Sequence, residues 1–431
     1  SAARTVVVSS GCSLALDGVG IYDPNNRLAL NLNGTGDTRN SVTMSGALVN
    51  LAGSNTVPCA IALAGNTQIS SLKAGGKLTL SGPLSGAYTL TVTGPGETAL
   101  AGTNGAILSA SAIAVISNST LRLENTALNN NTNRIGNSIP ITLAGGALNF
   151  SSDGGATNFT ESLGTLTVGL GSSTVFASQA ASGQTSALVF ASLTCAGGTV
   201  NFVGDGLGVD ARNRIFITTG QADGMIGPWA TINGTNLAFY SSSRGVYAGS
   251  GAEVGIAALG NDPDAVIPND ETASAVINKQ GSSGPIALQA TWTNRVLEVR
   301  QETGYASVVA MTNDTAAKAL QTSRLVIKDG KESLAIGQAE NSGSLMALWS
   351  GGILALENQN ASKTLTVNAA VVNNTTASGL NKFGAGTVLL TGSNSYSGAT
   401  WINDGSLEIG GSSTQTLAGA ISGNGALVKS G

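Results

Sequence analysis

The chain has 431 residues with a formal net charge of −4, of which 59 are glycine, 10% are charged and 4% are aromatic. Glycine exceeds its usual share of about 7% and charge falls below its usual share of about 25%, while the apolar content is too high for a disordered polar tract. The scattered basic residues argue against a nucleic-acid partner, and the absence of histidine excludes imidazole catalysis and imidazole metal ligands.

Short runs of alternating apolar and polar residues recur along the chain. In chain order they are Lys77–Leu80, Tyr88–Val92, Thr120–Leu123, Ile141–Leu143, Thr165–Val168, Leu297–Arg300 and Thr364–Val367. Alternation of this kind is typical of half-buried strands. Between the runs lie pairs such as Gly75-Gly76 and Asp404-Gly405, which tolerate the positive φ of tight turns. The pattern therefore predicts many short strands joined by tight turns.

One short sequence motif, a glycine-containing turn followed by a strand, is repeated with variation along the chain. Ala74–Gly82 resembles Ala144–Phe150, Ser350–Leu356 and Asn403–Gly410. Degenerate copies of one short unit indicate a solenoid, in which each coil covers the apolar face of the next. We find no linker of charged residues or prolines, so residues 1–431 are predicted to form one continuous β-solenoid. An open array of β-sandwiches is the alternative, and the consistent turn spacing disfavours it.

A helix is weakly indicated at one place, between Ser307 and Leu320. Asn313-Asp314-Thr315 could cap a short helix from Ala316 to Thr322. The alternative is a loop or a lateral insertion on the solenoid.

The clearest family pattern lies between Gly379 and Thr400 and continues through Ile402–Leu407. It resembles the autotransporter-associated β-strand repeat, also called the passenger-associated transport repeat, which reads roughly G-L-x-K-x-G-x-G-T-L-x-L-x-G-x-N-x-Y-S-G-x-T and then I-N-x-G-x-L. Surface proteins of this type are common in Verrucomicrobia and Planctomycetes. The resemblance implies a right-handed parallel β-helix that is secreted or displayed at a bacterial cell surface. It implies no catalytic residues, because its motif positions are turn glycines and core aliphatic residues.

The strength of this resemblance varies along the chain. We expect N-terminal coils with a weak match at 1–45, repeat-like coils at 46–254, a weaker region at 255–340 and the clearest copies at 341–431. Ala426–Gly431 resembles Gly379–Gly384, so the sequence stops within a repeat, and either the native protein continues or the last coil docks onto another surface. No signal peptide precedes the first strand, so a secreted protein would here be a mature or trimmed chain. No apolar run approaches the roughly 18 residues that span a bilayer.

The two ends of the chain are predicted to self-associate. Val6, Val7 and Val8 at one end and Ala426, Leu427 and Val428 at the other form apolar strands without a polar cap. An end coil presents unpaired N–H and C=O groups, which can template pairing with another chain. Head-to-tail stacking of this kind does not close and would produce a filament.

The cysteines allow two interpretations. Cys12 and Cys59 could form a disulfide if neighbouring coils bring their Cα atoms to about 5.5 Å. Alternatively, these two and Cys195 are small buried apolar residues.

An acidic segment is the one candidate for a metal site. Asp262, Asp264, Asp270 and Glu271 could supply oxygen ligands to Ca²⁺. Their spacing matches neither an EF-hand nor a calcium-binding nonapeptide repeat. A solvated acidic loop is therefore the favoured interpretation, and no cofactor is predicted.

Two further groups bear on sugars. Asp210, Arg212 and Arg214 lie close together and could belong to a polysaccharide-active β-helix enzyme, although a surface ion pair is favoured. Aromatic side chains could stack on sugar rings or pack in the solenoid wall, and packing is favoured; these are Trp229, Trp292, Trp349, Trp401, Tyr240 and Tyr396. The sequence thus predicts a structural extracellular or cell-surface protein that is not an enzyme and self-associates. The alternatives are an adhesin that binds cell-surface glycans and, less favoured, the polysaccharide-active enzyme.

Overall fold

The computed structural model describes residues 4–23, 25, 27–37, 44–152, 155, 157–178, 183–234, 236–249, 254–261, 264–281, 284–312 and 317–430. Across these residues the secondary structure consists of short strands, and most strand pairs are parallel ladders between successive coils. This confirms the predicted all-β parallel β-helix. No helix long and apolar enough to cross a membrane occurs in the described part of the chain.

The chain divides into two compact units. Unit 1 comprises Ser1–Ile226 and Ala230–Ala248, and unit 2 comprises Gly227–Trp229 and Gly249–Gly431. That all the residues belong to one continuous solenoid stays a prediction.

The described residues of unit 1 form 28 strands. Their bounds are β1 Arg4–Val8, β2 Leu14–Asp17, β3 Leu28–Gly34, β4 Gly36–Asp37, β5 Met44–Ser45, β6 Leu48–Ala52, β7 Ser54–Val57, β8 Ala60–Ser71, β9 Lys77–Leu80, β10 Pro83–Ser85, β11 Thr89–Thr93, β12 Glu97–Leu100, β13 Ala106–Ile107, β14 Ala112–Ile116, β15 Thr120–Leu123, β16 Ile141–Ala144, β17 Ala147–Ser151, β18 Phe159–Leu163, β19 Leu166–Val168, β20 Ser172–Ser178, β21 Ser186–Phe190, β22 Leu193–Cys195, β23 Thr199–Val203, β24 Asn213–Ile217, β25 Gly224–Met225, β26 Ala230–Ile232, β27 Asn236–Ser241 and β28 Gly245–Ala248.

Inward-facing side chains of successive coils stack in columns that form the core of unit 1. One column consists of Leu78, Thr98, Leu121, Leu148, Val175 and Phe202. Each of these side chains is at most 1% exposed. Because the ladders are parallel and in register, alternation along each strand points the same face inward in every coil.

The last strands of unit 1 depart from the parallel pattern. β26 pairs antiparallel with β27, and β27 also pairs antiparallel with β25 and β28. The turn after β26 contains Asn233 and Gly234, both with positive φ. The Tyr240 hydroxyl donates to the Ile217 carbonyl oxygen at 2.6 Å and holds the hairpin against β24. These hairpins cover an edge that a parallel coil would leave open.

In unit 2, the part of the chain that the structure describes has 18 strands. Their bounds are β29 Gly255–Ala258, β30 Val266–Ile267, β31 Asp270–Ile277, β32 Ala287–Leu288, β33 Thr293–Gln301, β34 Ser307–Val309, β35 Ala319–Ile327, β36 Leu334–Ile336, β37 Ser344–Ala347, β38 Ile353–Asn358, β39 Thr364–Val367, β40 Ala370–Val371, β41 Gly379–Phe383, β42 Thr387–Leu390, β43 Thr400–Ile402, β44 Ser406–Ile409, β45 Ile421–Ser422 and β46 Ala426–Lys429.

The core of unit 2 is also built from in-register columns. Leu334, Leu365, Val388 and Leu407 stack in successive coils, and each is at most 1% exposed. Leu427 continues this column but is 50% exposed. Burial therefore falls sharply at the last described coil.

The helix predicted between Ser307 and Leu320 is wrong. Ser307–Val309 is strand β34, and residues 319–322 belong to strand β35, which pairs with β33 on one side and β37 and β38 on the other. The suggested cap at residues 313–315 and Ala316 lies outside the described residues. Pairing on both edges of β35 satisfies its backbone groups in the sheet, which overrides a weak local helical preference.

Candidate functional site

The outermost strands of unit 2 form a surface that we term the last-coil edge, consisting of β45 and β46. Within the described chain, β45 pairs with β43 alone and β46 pairs with β44 alone. Ile421, Leu427 and Val428 are 40%, 50% and 41% exposed. A strand with one open edge and exposed apolar side chains can accept a further strand by main-chain hydrogen bonding.

An apolar cleft of about 430 Å³ opens beside β46. Its apolar lining comes from Ile409, Leu417, Leu427 and Val428. The cleft and the open edge therefore offer both backbone hydrogen bonds and a place for an inserted aliphatic side chain. This is where the structure places the residues predicted for self-association, and the association itself stays a prediction.

The last strand takes a different position from the one its sequence suggests. Its sequence resembles the start of the copy at Gly379–Gly384, but that segment forms β41 in the ten-stranded sheet, whereas β46 extends the six-stranded sheet. The backbone N–H of Gly425 donates to the Ile402 carbonyl oxygen, and that of Ala426 to Gly405. These turn contacts place β46 beside β44 rather than in the sheet of β41.

The opposite set of predicted residues lies on β1 in unit 1. Among the described strands, β1 pairs only with β3, with Val6 beside Leu30 and Val8 beside Leu32. Val6 and Val7 are 40% and 64% exposed, whereas Val8 is buried. One edge of β1 and its apolar side chains are therefore also accessible.

All three cysteines are free thiols. Cys12 is exposed, Cys59 is buried and Cys195 is half-buried. Burial raises the pKa of the Cys59 and Cys195 thiols, which disfavours the reactive thiolate. A disulfide between Cys12 and Cys59 is absent here and stays a prediction.

In the described part of the acidic segment, the carboxylates of Asp270 and Glu271 bind other protein groups. The Asp270 carboxylate accepts hydrogen bonds from the N–H and hydroxyl of Thr272 at 2.9 and 2.8 Å, which lower its pKa. Glu271 forms an ion pair with Arg295 at 2.7 Å. Asp262 lies outside the described residues. Among the described residues, no group of three or more metal-ligating side chains is placed to hold an ion.

The predicted polar cluster in unit 1 lies beside a cavity of about 420 Å³. Arg212 forms an ion pair with Asp205 at 2.6 Å, a partner that the sequence analysis missed. The backbone N–H of Arg212 donates to the Asp210 carboxylate at 2.7 Å, and the Arg214 side chain donates through Nε to the Asp210 carbonyl oxygen at 3.1 Å. Asp210 is the one carboxylate in the described lining, whereas glycoside hydrolysis generally uses two, about 5–9.5 Å apart.

The aromatic side chains separate into three groups by exposure. Tyr240 and Tyr396 are buried, and burial raises the pKa of Tyr396 to about 12. Trp229 and Trp401 are half-buried. Trp292 and Trp349 are 66% and 43% exposed, so packing within the wall does not account for them.

A buried charge cluster in unit 2 escaped the sequence analysis. Arg324 is fully buried and lies between two glutamates. Its guanidinium is 3.5 Å from the Glu298 carboxylate and donates a hydrogen bond to the Glu357 carboxylate. Burial opposes the charge on Arg324, but the two carboxylates together raise its pKa. In the sequence, the one sign of this cluster is that β33, β35 and β38 each contain one of these charged residues. Only the stacking of the three strands shows that the charges are in contact.

A second missed contact involves a lysine of the family pattern. Lys382 Nζ donates to the carbonyl oxygens of Phe383, Gly384 and Asp404, and the side chain is fully buried. A Cβ on Gly405 would lie 2.6 Å from this Nζ, so glycine leaves room for the ammonium group. Lys382 therefore locks the turns of two adjacent coils together.

Comparisons with known proteins agree with this geometry. Residues 380–409 match the family described as passenger-associated-transport-repeat. The chain is 40% identical over 72 residues to a protein named adhesin BmaC autotransporter, from Brucella suis biovar 1 (strain 1330). That similarity covers 17% of this chain and 2% of the relative. No solved structure matches the chain significantly.

The matched residues 380–409 contain β42, β43 and β44 together with most of β41, so the repeat corresponds to coils of the β-helix. Its alternating residues supply the core columns and its glycines supply the turns. Residues 380–409 of this chain are therefore a passenger-associated-transport-repeat that is built into the coils of the β-helix.

Proposed function

We propose that this chain is a structural passenger segment, an extracellular β-solenoid displayed at or released from a bacterial cell surface. The observation that carries the proposal is the way the repeat at residues 380–409 is used. Leu380, Val388 and Leu407 are fully buried in the core, and the Lys382 ammonium group donates its hydrogen bonds to backbone carbonyl oxygens of the turns. The repeat residues thus build the scaffold and leave the outer wall for contact with the surroundings.

Surface location has two supports. The matched repeat takes its name from passenger transport, and the relative of 40% identity carries the name of an autotransporter adhesin. The low charge and high glycine content suit a β-solenoid with many tight turns.

The location is tested by labelling intact cells that express the native gene with an antibody raised against this chain. We expect labelling of unpermeabilised cells or recovery of the protein from the medium. Labelling that requires permeabilisation would overturn the proposal. A cytoplasmic protein, stained only after permeabilisation, confirms that the intact cells were sealed.

The finer part of the proposal is end-to-end assembly through the last-coil edge. Its supports are the open side of β46, the exposed Leu427 and Val428, and the apolar cleft beside them. Unit 1, by contrast, has antiparallel hairpins over its last coil. We propose that the last-coil edge accepts β1 of a second copy, which also has one open edge.

Assembly is tested by light scattering and electron microscopy of the purified chain over a range of concentrations. We expect elongated assemblies that Leu427→Asp abolishes, because a carboxylate cannot enter the apolar seam. Val209→Asp is the control, since Val209 is 74% exposed and belongs neither to β1 nor to the last-coil edge. A wild-type chain that stays monomeric at high concentration contradicts the assembly.

Adhesion is the second candidate function. The observation that favours it is the exposure of Trp349 on the wall of unit 2.

A further inference from the structure

The turn between β37 and β38 holds an exposed indole on a fixed backbone. The Gly352 N–H donates to the Trp349 carbonyl oxygen at 3.0 Å and closes the turn. Asn374 of the next coil clamps the same turn from outside, since its Nδ2 donates to the carbonyl oxygens of Ala347 and Leu348 at 2.9 and 3.3 Å. Trp349 itself remains 43% exposed. Such a ring is presented to solvent with little backbone freedom left to lose on binding.

The turn that carries Trp349 and the two coils after it present exposed hydroxyl groups. The Ser350 and Thr376 hydroxyl oxygens are 3.2 Å apart, and both residues are exposed. Asn373, in the same coil as Thr376, donates through Nδ2 to the exposed Ser397 hydroxyl of the following coil at 2.9 Å. Ser350, Thr376 and Ser397 thus belong to three successive coils, and we call their hydroxyl groups the hydroxyl row. We call Trp349, Ser350, Thr376 and Ser397 the Trp349 corner.

A second indole covers the adjoining strand. A Cβ on Gly379 would lie 2.9 Å from the Trp401 ring, so this ring lies against the bare backbone of Gly379. Gly379 in turn donates its N–H to Gly352, in the turn that carries Trp349. Trp401 is half-buried and extends the apolar surface next to the corner.

The coils around the corner are free of charged residues over long stretches. Residues 341–356, 364–381 and 383–403 contain no Asp, Glu, Lys or Arg. A charged ligand would find no counter-charge on these segments. A neutral pyranose fits the chemistry, because its C–H face can lie against an indole while its hydroxyls exchange hydrogen bonds with Ser, Thr and Asn groups.

We propose that the Trp349 corner binds neutral glycans, with Trp349 as the stacking platform and the hydroxyl row as the polar contact. This inference rests on the proposed function, since a surface passenger would meet glycans outside the cell. Binding by the purified chain does not depend on where the protein is displayed, so the two proposals can fail separately.

The experiment titrates the full chain with neutral hexasaccharides of glucose, mannose and xylose, and with a polyuronate as the acidic comparison. Tryptophan fluorescence and calorimetry report binding. We expect saturable binding of at least one neutral hexasaccharide and weaker binding of the polyuronate. Trp349→Ala should weaken that binding at least about ten-fold, which is the scale of a lost aromatic contact. Trp349→Phe should retain part of it, and Thr376→Val should weaken it to a smaller extent.

Trp292→Ala is the matched control, because Trp292 is 66% exposed in the same unit but precedes a strand bearing Arg295 and its ion pair with Glu271. We expect this variant to bind as the wild type does. The proposal is overturned if no neutral hexasaccharide binds saturably, if the polyuronate binds more tightly, or if Trp292→Ala loses as much affinity as Trp349→Ala. Circular dichroism of each variant establishes that it is folded, which is expected for exposed positions.

Discussion

Glu340 accepts hydrogen bonds from both the backbone N–H and the hydroxyl of Ser412, which lies 72 residues further along the chain. The backbone N–H of Ser413 also donates to Glu340, at 2.6 Å, and Asn341 donates to the Ser413 hydroxyl at 2.8 Å. Glu340 follows β36 and Ser412 follows β44, with β39 and β42 between them in the sheet. A simple solenoid couples only neighbouring coils, so this clamp adds a longer-range coupling that skips two strands.

The clamp should make the stability of unit 2 depend on acid. Hydrogen bonds from Ser413 and Ser412 lower the pKa of Glu340 from 4.5 to about 2. Because the folded pKa is the lower one, the stabilisation is complete above about pH 4.5 and is lost as the pH falls towards 2. We predict that Glu340→Gln lowers the melting temperature at pH 7 and has little further effect near pH 2.

Thermal unfolding by circular dichroism at both pH values measures this difference. Glu271→Gln is the control, since Glu271 belongs to an exposed ion pair with Arg295. An equal effect of Glu340→Gln at pH 7 and pH 2 would count against the clamp.

Removing only Arg324 from the buried cluster should lower the unfolding free energy more than removing all three of its charged residues. Arg324→Met leaves Glu357 buried without its ion-pair partner and leaves Glu298 with Arg300 alone, at 3.6 Å. This loss should cost about 3–5 kcal/mol of unfolding free energy. Replacing all three residues with Met and Leu should bring stability back towards the wild type, because both buried carboxylates are removed and Arg300 keeps its ion pair with Glu302.

Urea denaturation of the single and triple variants measures the difference. Arg295→Met serves as the control, and its exposed ion pair should contribute about 0–1 kcal/mol. A triple variant as unstable as Arg324→Met would contradict this account.

Two leucines in one column should differ according to their burial. Leu407→Ala should cost about 2–5 kcal/mol, because Leu407 is fully buried. Leu427→Ala in the neighbouring coil should cost less than about 0.5 kcal/mol in dilute solution, because Leu427 is half-exposed. Urea denaturation measured at several protein concentrations compares them. Equal costs that persist on dilution would show that Leu427 is buried within the single chain.

Lys382 should give unit 2 a dependence on alkaline pH. Burial lowers the pKa of Lys382 from 10.5 to about 8. Between these values the unfolded chain binds the proton more tightly, so unfolding free energy should rise from about pH 8 to pH 10.5. We predict that Lys382→Met destabilises the protein at pH 8, by about 1–3 kcal/mol for each carbonyl left unpaired, and reduces this rise.

Urea midpoints at pH 8 and pH 10 test the effect of Lys382. Lys73→Met, at an exposed position, is the control. If the unfolding free energy of Lys382→Met rises with pH as much as that of the wild type, Lys382 is not the cause of the rise. Lys328 would then be another source, because burial also lowers its pKa to about 8.

The sequence by itself determined the kind of chain this is. Alternation such as Thr364–Val367 identifies strands, because side chains on a strand point to opposite faces in turn. Repetition at Gly379–Leu407 then identifies coils, since one such unit cannot bury its own apolar face. Both signals are local, and they sufficed for the parallel β-helix and for its relation to autotransporter repeats.

Only the tertiary structure decided which distant residues meet. Glu340 reaches Ser412, and Arg324 lies between Glu298 and Glu357, through stacking in which coil length varies from one coil to the next. The segment at 319–322 became a strand because sheet neighbours on both sides satisfy its backbone. Exposure was decided in the same way. Leu407 and Leu427 have similar sequence contexts, but within the described residues β46 covers Leu407, whereas no strand beyond β46 covers Leu427.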